Sequence, residues 1–475
     1  MPSAGRTELV LAALVIVIAA AYLSVSYIMG GPGWDLIAHY LNGRSLSNPA
    51  FWQCLLNRQC NLYNQNPQFY FESYRAPAAG FIIAFINLFV NSTADIPVYI
   101  AVLFAGYLLS VRFLSRQIRV NGLLLLAMLL SPYILAVSII PGSEEIASLI
   151  FLLIAIGFLA RRSPWFGLFL GLATLGKYPT LILIPMLLML IEPRKILYAS
   201  VLFAVAVVPW LAFNQIFFTN GPFTSYLLSM AISHNNSGPL SFSLPAYATI
   251  LGYPLIFAAL GIILVYPNRK AIIKLVKRQC GRADILKIYK SDRNYLYSIL
   301  TVLILLSLTA TLYIGPYYDQ FTQERYGYLL GISTALFVAV LLDDARKYTK
   351  VNLQTVVAAL SIAMFLYVIY QNVTTPPMIG AGSQPFKSAA SELSALGYGN
   401  CKITTNDWMY MLWQNVSAFS QFNSNSTAVR YPIIAFHNQS SLTDINYWAP
   451  IDGAKTVYSS PEFSILIPQN YRCYT

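Results

Sequence analysis

The chain has 475 residues, of which 57% are hydrophobic and only 10% charged, with a mean hydropathy of +0.58. That balance excludes a soluble globular protein and predicts a polytopic membrane protein. The formal net charge of +12 would suggest a nucleic-acid partner in a soluble chain; here it follows from Lys and Arg collecting in cytoplasmic loops, and no nucleic acid is expected.

The first apolar run, Leu9–Met29, is too long for the core of a secretory signal and lacks a small-residue cleavage site, so it reads as a retained span. A long polar interruption follows, from Gly31 to Gly80, within an external first loop predicted over 30–96. It opens with Gly-Trp-Asp and returns toward the membrane with Tyr-Arg-Ala-Pro, which holds Asp35 and Arg75 near the membrane surface. Further spans are predicted at 97–114, 121–139, 146–160, 165–176, 180–191, 196–213, 246–266, 295–314, 327–342 and 352–370. With the first, that is about eleven crossings in an all-α transmembrane domain over 1–370. The runs 165–176 and 180–191 flank Lys177-Tyr178-Pro179 and are short for a core about 30 Å thick. The run Ala76–Val90 reads as an in-plane or re-entrant helix, because a crossing there would invert everything after it. From 371 to 475 the composition turns to Ser, Asn, Thr and aromatics, predicting a small external α/β domain. Its helix is read at Ser388–Leu396, and its strands in CKITTND, AVRYPIIAFH, KTVYSS and FSILIP.

A cytoplasmic amino terminus places 20 of the 30 Lys and Arg on the inner side, nine of them in 267–294, which reads as an amphipathic segment at an anionic leaflet. The same topology puts all six Asn-X-Ser/Thr sequons outside, at Asn91, Asn235, Asn372, Asn415, Asn425 and Asn438, where glycosylation is possible. It also separates Cys54, Cys60, Cys401 and Cys473, outside, from Cys280, inside. Pairing by proximity gives disulfides 54–60 and 401–473; unpaired buried thiols are the alternative. The expected location is a multi-pass protein of the plasma membrane with its carboxyl-terminal domain external.

No Walker A loop, GxGxxG, HExxH or GxSxG motif is present, and three histidines without paired cysteines argue against a closed zinc site. Instead the outer face collects ionisable groups: Asp35, Glu72 and Arg75 in the first loop, Glu144 and Glu145 in PGSEE, Lys177, and Glu324, Arg325 and Tyr326 in ERYGYLL. Ionisable groups at membrane depth are expensive and are functional candidates by default. A transferase acting on a polyprenyl-phosphate donor needs a carboxylate to take a proton, and cations or a divalent metal to hold the phosphate. Both kinds of group stand on one side here. Each also has a plain structural role available: Asp35 as a helix cap, Glu144 and Glu145 as partners of a helix dipole, Glu324 with Arg325 as a surface pair, and Lys177 and Arg75 reaching to headgroups.

Taken together, GWD opening the first loop, the Tyr-Arg-Ala-Pro return, the acidic pair of SPYILAVSIIPGSEE and the late ERYGYLL resemble the GT-C superfamily of membrane glycosyltransferases. The likeness is to the protein O-mannosyltransferase and aminoarabinose-transferase branch and covers residues 1–345. Arg-Ala-Pro departs from that family's Pro-Pro, ERYGYLL lacks its proline, and the WWDYG motif of oligosaccharyltransferases is absent. The resemblance implies a GT-C-like fold and transfer of a sugar from a polyprenyl (dolichyl) phosphate donor to a protein, glycan or lipid acceptor. It further implies Asp35 as catalytic base, Glu144 or Glu145 as a second acidic group, Arg75 and Arg325 as phosphate or sugar ligands, and a possible divalent ion at Asp35 and Glu144. Two other classes stay open: a transporter or lipid-glycan flippase, suggested by the broken spans around Lys177, and a non-catalytic scaffold presenting the external domain.

Overall fold

The structure is a computed structural model and describes the chain apart from residues 1–4, 58–69, 73–74, 90–94, 140–141, 143, 219–242, 267–290, 315–324, 375–383, 406–407, 420–430, 438–453, 470, 472 and 474–475. Helices dominate it: α1 (Arg6–Gly30), α2 (Trp34–Ser47), α3 (Pro49–Leu56), α4 (Ala78–Asn87), α5 (Asp95–Ile118), α6 (Gly122–Leu129), α7 (Pro132–Ser138), α8 (Glu144–Ala160), α9 (Trp165–Gly176), a 3₁₀ helix (Tyr178–Met189), α10 (Pro193–Phe217), α11 (Leu244–Val265), α12 (Asp292–Ile314), α13 (Tyr328–Ala345), α14 (Leu353–Thr374), α15 (Gln384–Ala395) and α16 (Trp408–Trp413). Among the described residues, seven are long and apolar enough to cross a membrane, namely α1, α5, α10, α11, α12, α13 and α14. These are the helices of an integral membrane protein.

The remaining predicted crossings take other forms. The stretch 121–139 is two short helices, because Leu130 leaves helical geometry, Ser131 caps the next helix by accepting from the Ile134 N–H at 3.0 Å, and Pro132 has no N–H to continue the first. The run 180–191 falls in the 3₁₀ helix up to Met189, and a rise of about 2.0 Å per residue carries that helix's twelve residues further than an α-helix would. Over the predicted 146–160, α8 has 17 residues, and over 165–176, α9 has twelve. Within Ala76–Val90, expected to lie in-plane or re-enter, α4 has ten residues and reaches about 15 Å, half of a hydrocarbon core.

The chain divides into two compact units. The first, residues 1–25, 74–78 and 100–374, is the helical bundle. Helix α13 is its most buried membrane-length element and packs on α6, α7, α11 and α12, whereas α1, α10 and α11 leave Leu9, Val17, Val201, Val205, Leu255 and Ile262 exposed. Continuous exposed apolar faces of this kind suit lipid. Hydroxyl groups close the backbone at the helix breaks. Two of the carbonyls freed at the end of α6 accept from tyrosines: Leu129 from Tyr107 at 2.8 Å and Ala127 from Tyr253 at 2.6 Å. Met189, at the end of the 3₁₀ helix, accepts from Tyr295 at 3.2 Å. Without water, each such carbonyl would otherwise remain unsatisfied.

The second unit comprises residues 26–73, 79–99 and 375–475. Its polar helix α2 is buried on most of its surface: the Asn42 side chain bonds the backbone N–H and C=O of Glu72 at 2.9 and 3.4 Å, and Ser45 donates to the Tyr70 carbonyl at 2.6 Å. Tyr410 of α16 donates to the Pro32 carbonyl at 3.1 Å and stacks on Phe386 of α15. A five-stranded sheet completes the unit, formed by β1 (Ile403–Thr405), β2 (Ala418–Phe419), β3 (Ile433–Phe436), β4 (Ala454–Ser459) and β5 (Phe463–Pro468), in the order β2-β1-β3-β5-β4. Pairings β1–β2 and β1–β3 are parallel, β3–β5 and β5–β4 antiparallel. The inner strands β1 and β3 are wholly buried, β3 as the unbroken apolar run Ile433–Phe436 demands and β1 with Thr404 and Thr405 enclosed beside Ile403, while the edge strand β4 is largely exposed. The predicted helix is α15, longer at its start; α16 and β2 were not foreseen.

Cys401 and Cys473 form the expected disulfide, with Cα atoms 5.3 Å apart across a separation of 72 residues. Cys54 is also disulfide-bonded, while Cys60 and Cys280 lie outside the described residues. A loop closed over that separation is worth about 4 kcal/mol on the chain-entropy estimate. The double variant Cys401→Ser/Cys473→Ser is therefore expected to expose the carboxyl-terminal region to protease at a distinctly lower urea concentration; an unchanged midpoint would show that the bridge constrains nothing.

Candidate functional site

The candidate site lies in the helical bundle, where α8 starts and α9 ends. Glu144 and Glu145 occupy the first turn of α8, where a helix favours negative charge by about 0.3–1 kcal/mol. Helix α9 packs along α8 and brings its last residues back to that turn. Gly176 makes the approach possible: a Cβ there would lie 2.5 Å from the Ser148 backbone, so only glycine admits the contact. The chain then leaves the helix. Lys177 is extended at φ −156°, and Pro179, in the first turn of the 3₁₀ helix, lacks the N–H that would continue the α-helical ladder.

Lys177 is 5% exposed and its ammonium bonds both Glu144 and Glu145, the latter at 2.6 Å. A second cation arrives from the turn before α13. Arg325 Nε donates to Glu145 at 2.5 Å and its Nη2 to Glu144 at 3.2 Å. Lys177 also sits 5.2 Å over the Tyr326 ring. Two carboxylates and two cations thus form a neutral cluster, and Glu145 Oε2 is buried without a hydrogen-bond partner. The backbone before α8 presses on this oxygen: a Cβ on Gly142 would lie 2.6 Å from Glu145 Oε2 and would strike Arg325.

A shell of hydroxyls holds the break in place. Thr180 bonds both Ser148 and Tyr328, at 2.8 and 2.9 Å, and Ser148 donates to the Ala173 carbonyl at 2.9 Å. Tyr178 accepts from the Trp210 indole and donates to the Arg75 carbonyl, each at 3.1 Å. The predicted return segment is thereby tied to the residue after Lys177.

Of the residues singled out from sequence, Glu144, Glu145, Lys177, Arg325 and Tyr326 come together, and the Arg75 backbone lies next to Tyr178. Asp35 and Glu72 belong to the other unit. Asp35 stands half-buried in the first turn of α2, and the backbone of Glu72 is held by Asn42. Glu324, the sequons Asn91, Asn235, Asn425 and Asn438, and most of the basic segment 267–294 lie outside the described residues. Asn372 is near the end of α14, and Asn415 is exposed, with its side chain accepting from Arg44 at 3.1 Å. Sequence reasoning missed Ser148, Tyr178, Thr180, Trp210 and Tyr328; only the tyrosine between Lys177 and Pro179 carried a signal, the helix break itself.

Among the described residues no group of three or more His, Cys, Asp or Glu could hold a metal ion. Glu144 and Glu145 are each paired with Lys177 and Arg325. Comparison with family models, with curated proteins and with solved structures found no match.

Removing one member of such a cluster strands an opposite charge in a buried site, at about 3–5 kcal/mol. Lys177→Met is expected to lower thermal stability in detergent by that amount, and adding Glu145→Gln should recover part of the loss. Simple additivity of the two effects in a double-mutant cycle would show that the pair is not coupled.

Proposed function

We propose that the chain is a membrane glycosyltransferase that moves a sugar from a polyprenyl-phosphate carrier to an acceptor on the outer membrane face, with inversion. The observation that carries this reading is the buried cluster of Glu144, Glu145, Lys177 and Arg325, assembled from three separate segments where a span is broken. Four ionisable groups at that place cost more than simple packing needs, since an apolar replacement of similar volume is often neutral or stabilising. Arg325 offers a planar fork and Lys177 a point charge, the two ways in which proteins hold phosphate. On donor binding they exchange carboxylate partners for phosphate oxygens, and Glu145, with one oxygen already unpartnered, accepts from a sugar or acceptor hydroxyl. In the reaction the acceptor's nucleophile forms a bond to the anomeric carbon while the bond from that carbon to the phosphate oxygen breaks. Polyprenyl phosphate leaves with the electron pair, and the acceptor's proton passes to a carboxylate, Asp35 by the GT-C resemblance.

Membrane orientation follows from charge. Arg112, Arg116 and Arg119 lie at the carboxyl end of α5, Arg161 and Arg162 after α8, and Arg346 and Lys347 after α13, the opposite end from the cluster. The positive-inside rule makes that end cytoplasmic and the cluster end external, with the plasma membrane as the proposed location. External modification of a reporter at Asn372, with none at Arg161 or Arg162, is the expected result of accessibility mapping; the reverse pattern would invert the assignment.

A transporter or flippase is the second reading, favoured by the discontinuous pair of α9 and the 3₁₀ helix with charge at the break. Purified protein and a panel of polyprenyl-phosphate sugars separate the two: turnover supports the transferase, and solute uptake into proteoliposomes without sugar transfer supports the transporter. In the transferase Asp35→Asn is expected to lower kcat by about 10²–10⁴ while donor-dependent thermal stabilisation survives. The structure gives the N-cap of α2 to Gly33 and leaves Asp35 in the first turn, so the plain structural role is not a cap but a charge facing the helix dipole; in that role alone Asn would cost about 0.3–1 kcal/mol of stability and turnover would hold.

A further inference from the structure

At the end of the bundle away from the four-charge cluster, the carboxyl-terminal ends of α5, α8 and α13 and the amino-terminal end of α12 surround a cavity of about 270 Å³. Its acidic groups are already engaged. Asp343 accepts from Arg293 at 3.3 Å, from Arg346 at 3.2 Å and from the Asn121 backbone N–H at 3.2 Å. Asp344 accepts from Arg293 at 2.9 Å, from Tyr297 at 2.8 Å and from Lys347 at 3.3 Å. The third carboxylate, Asp292, faces Arg162 at 3.9 Å.

Arg293 and Lys347 are matched by these acids, but two other cations of the cavity are not. Arg119 makes no hydrogen bond or ion pair among the described residues, and Arg161 meets only neutral groups, the Gln117 side-chain oxygen at 3.2 Å and the Arg116 carbonyl at 3.4 Å. Arg119 also stands at φ +55°, in the left-handed position that ends a helix and that glycine occupies at least cost. Backbone geometry therefore gains nothing from an arginine here; what it supplies is a guanidinium at the mouth of the cavity. Helices α5, α12 and α13 are all of membrane-spanning length, so their common end lies at headgroup level.

We propose that this cavity binds a phosphate-bearing headgroup through Arg119 and Arg161, with Lys347 at its edge, as a site separate from the cluster at the other end. A phosphate on a membrane lipid and a free phosphate present the same oxygens to these guanidinium groups. The bundle-end position favours the lipid.

The test uses full-length protein in a neutral detergent, titrated with short-chain phosphatidylglycerol, with phosphatidylcholine of the same chain length, and with inorganic phosphate, reading thermal stabilisation and apparent Kd. Stabilisation by phosphatidylglycerol well beyond that by phosphatidylcholine, with none from inorganic phosphate, is the expected result; saturable stabilisation by inorganic phosphate alone would keep the site and assign it a soluble ligand. Arg119→Gly, which suits the left-handed backbone, is expected to leave the melting temperature of the unliganded protein unchanged or raised and to weaken phosphatidylglycerol binding about fivefold, with Arg119→Gly/Arg161→Gln weakening it about 25-fold. Arg194→Gln removes an exposed arginine at the start of α10, away from the cavity, and serves as the control. An equal loss in the Arg194 and Arg119 variants, or no preference of the wild-type protein for either phosphate ligand, overturns the proposal. None of these readouts involves sugar transfer, so failure here leaves the proposed reaction standing, and the reverse.

Discussion

Lys177 reaching between Glu144 and Glu145 is the interaction on which the central bundle depends. A single ammonium in an apolar interior is costly, and so are two carboxylates side by side. Together with Arg325 they cancel, which lets the chain leave the helix at Gly176 without stranding a charge. The close packing of α8 on α9, the glycine at their contact, the extended lysine and the head of α13 all meet at this point.

Around the cluster, a lack of water dictates the chemistry of the bundle. A helix that ends inside the membrane leaves carbonyls that nothing but the protein can satisfy. At three helix breaks among the described residues, the carbonyls at Leu129, Ala173 and Met189 accept from Tyr107, Ser148 and Tyr295. Tyrosine suits this use at 107, 253 and 295: one long side chain is apolar along its ring and polar at its tip, so it packs among leucines and still reaches a neighbouring helix. Thr180 and Tyr328 do the same for the first turn of the 3₁₀ helix.

The two ends of the bundle differ in how they handle charge. At the α8 start, acid and base are equal in number and closely paired. At the α8 end, the acids are over-coordinated by Arg293, Asn121 and Tyr297, while Arg119 and Arg161 have no carboxylate partner among the described residues. A membrane protein has a physical reason for such polarity, since an excess of cations at one end both fixes orientation during insertion and meets the anionic leaflet.

Composition pointed to a polytopic membrane protein, and apolar runs of about 20 residues made it a helical one, because a run of that length crosses a hydrocarbon core only as a helix. The long spans α1, α5, α10, α11, α12, α13 and α14 were legible for the same reason, and the Cys401–Cys473 pair because oxidisable cysteines on one side have few partners. Glu144, Glu145, Lys177 and Arg325 were each visible as charges in apolar surroundings. What sequence could not supply is their meeting: residues 33 and 180 positions apart come together only once α9 has folded back along α8 and α13 has packed between its neighbours. Nor could it distinguish one helix from two at 121–139, since that depends on whether Tyr107 and Tyr253 arrive to satisfy the carbonyls that the break at Ser131-Pro132 leaves open. A broken helix is stable in lipid only when tertiary structure provides those partners, so Ser131-Pro132 marks where the helix can break and the fold decides that it does.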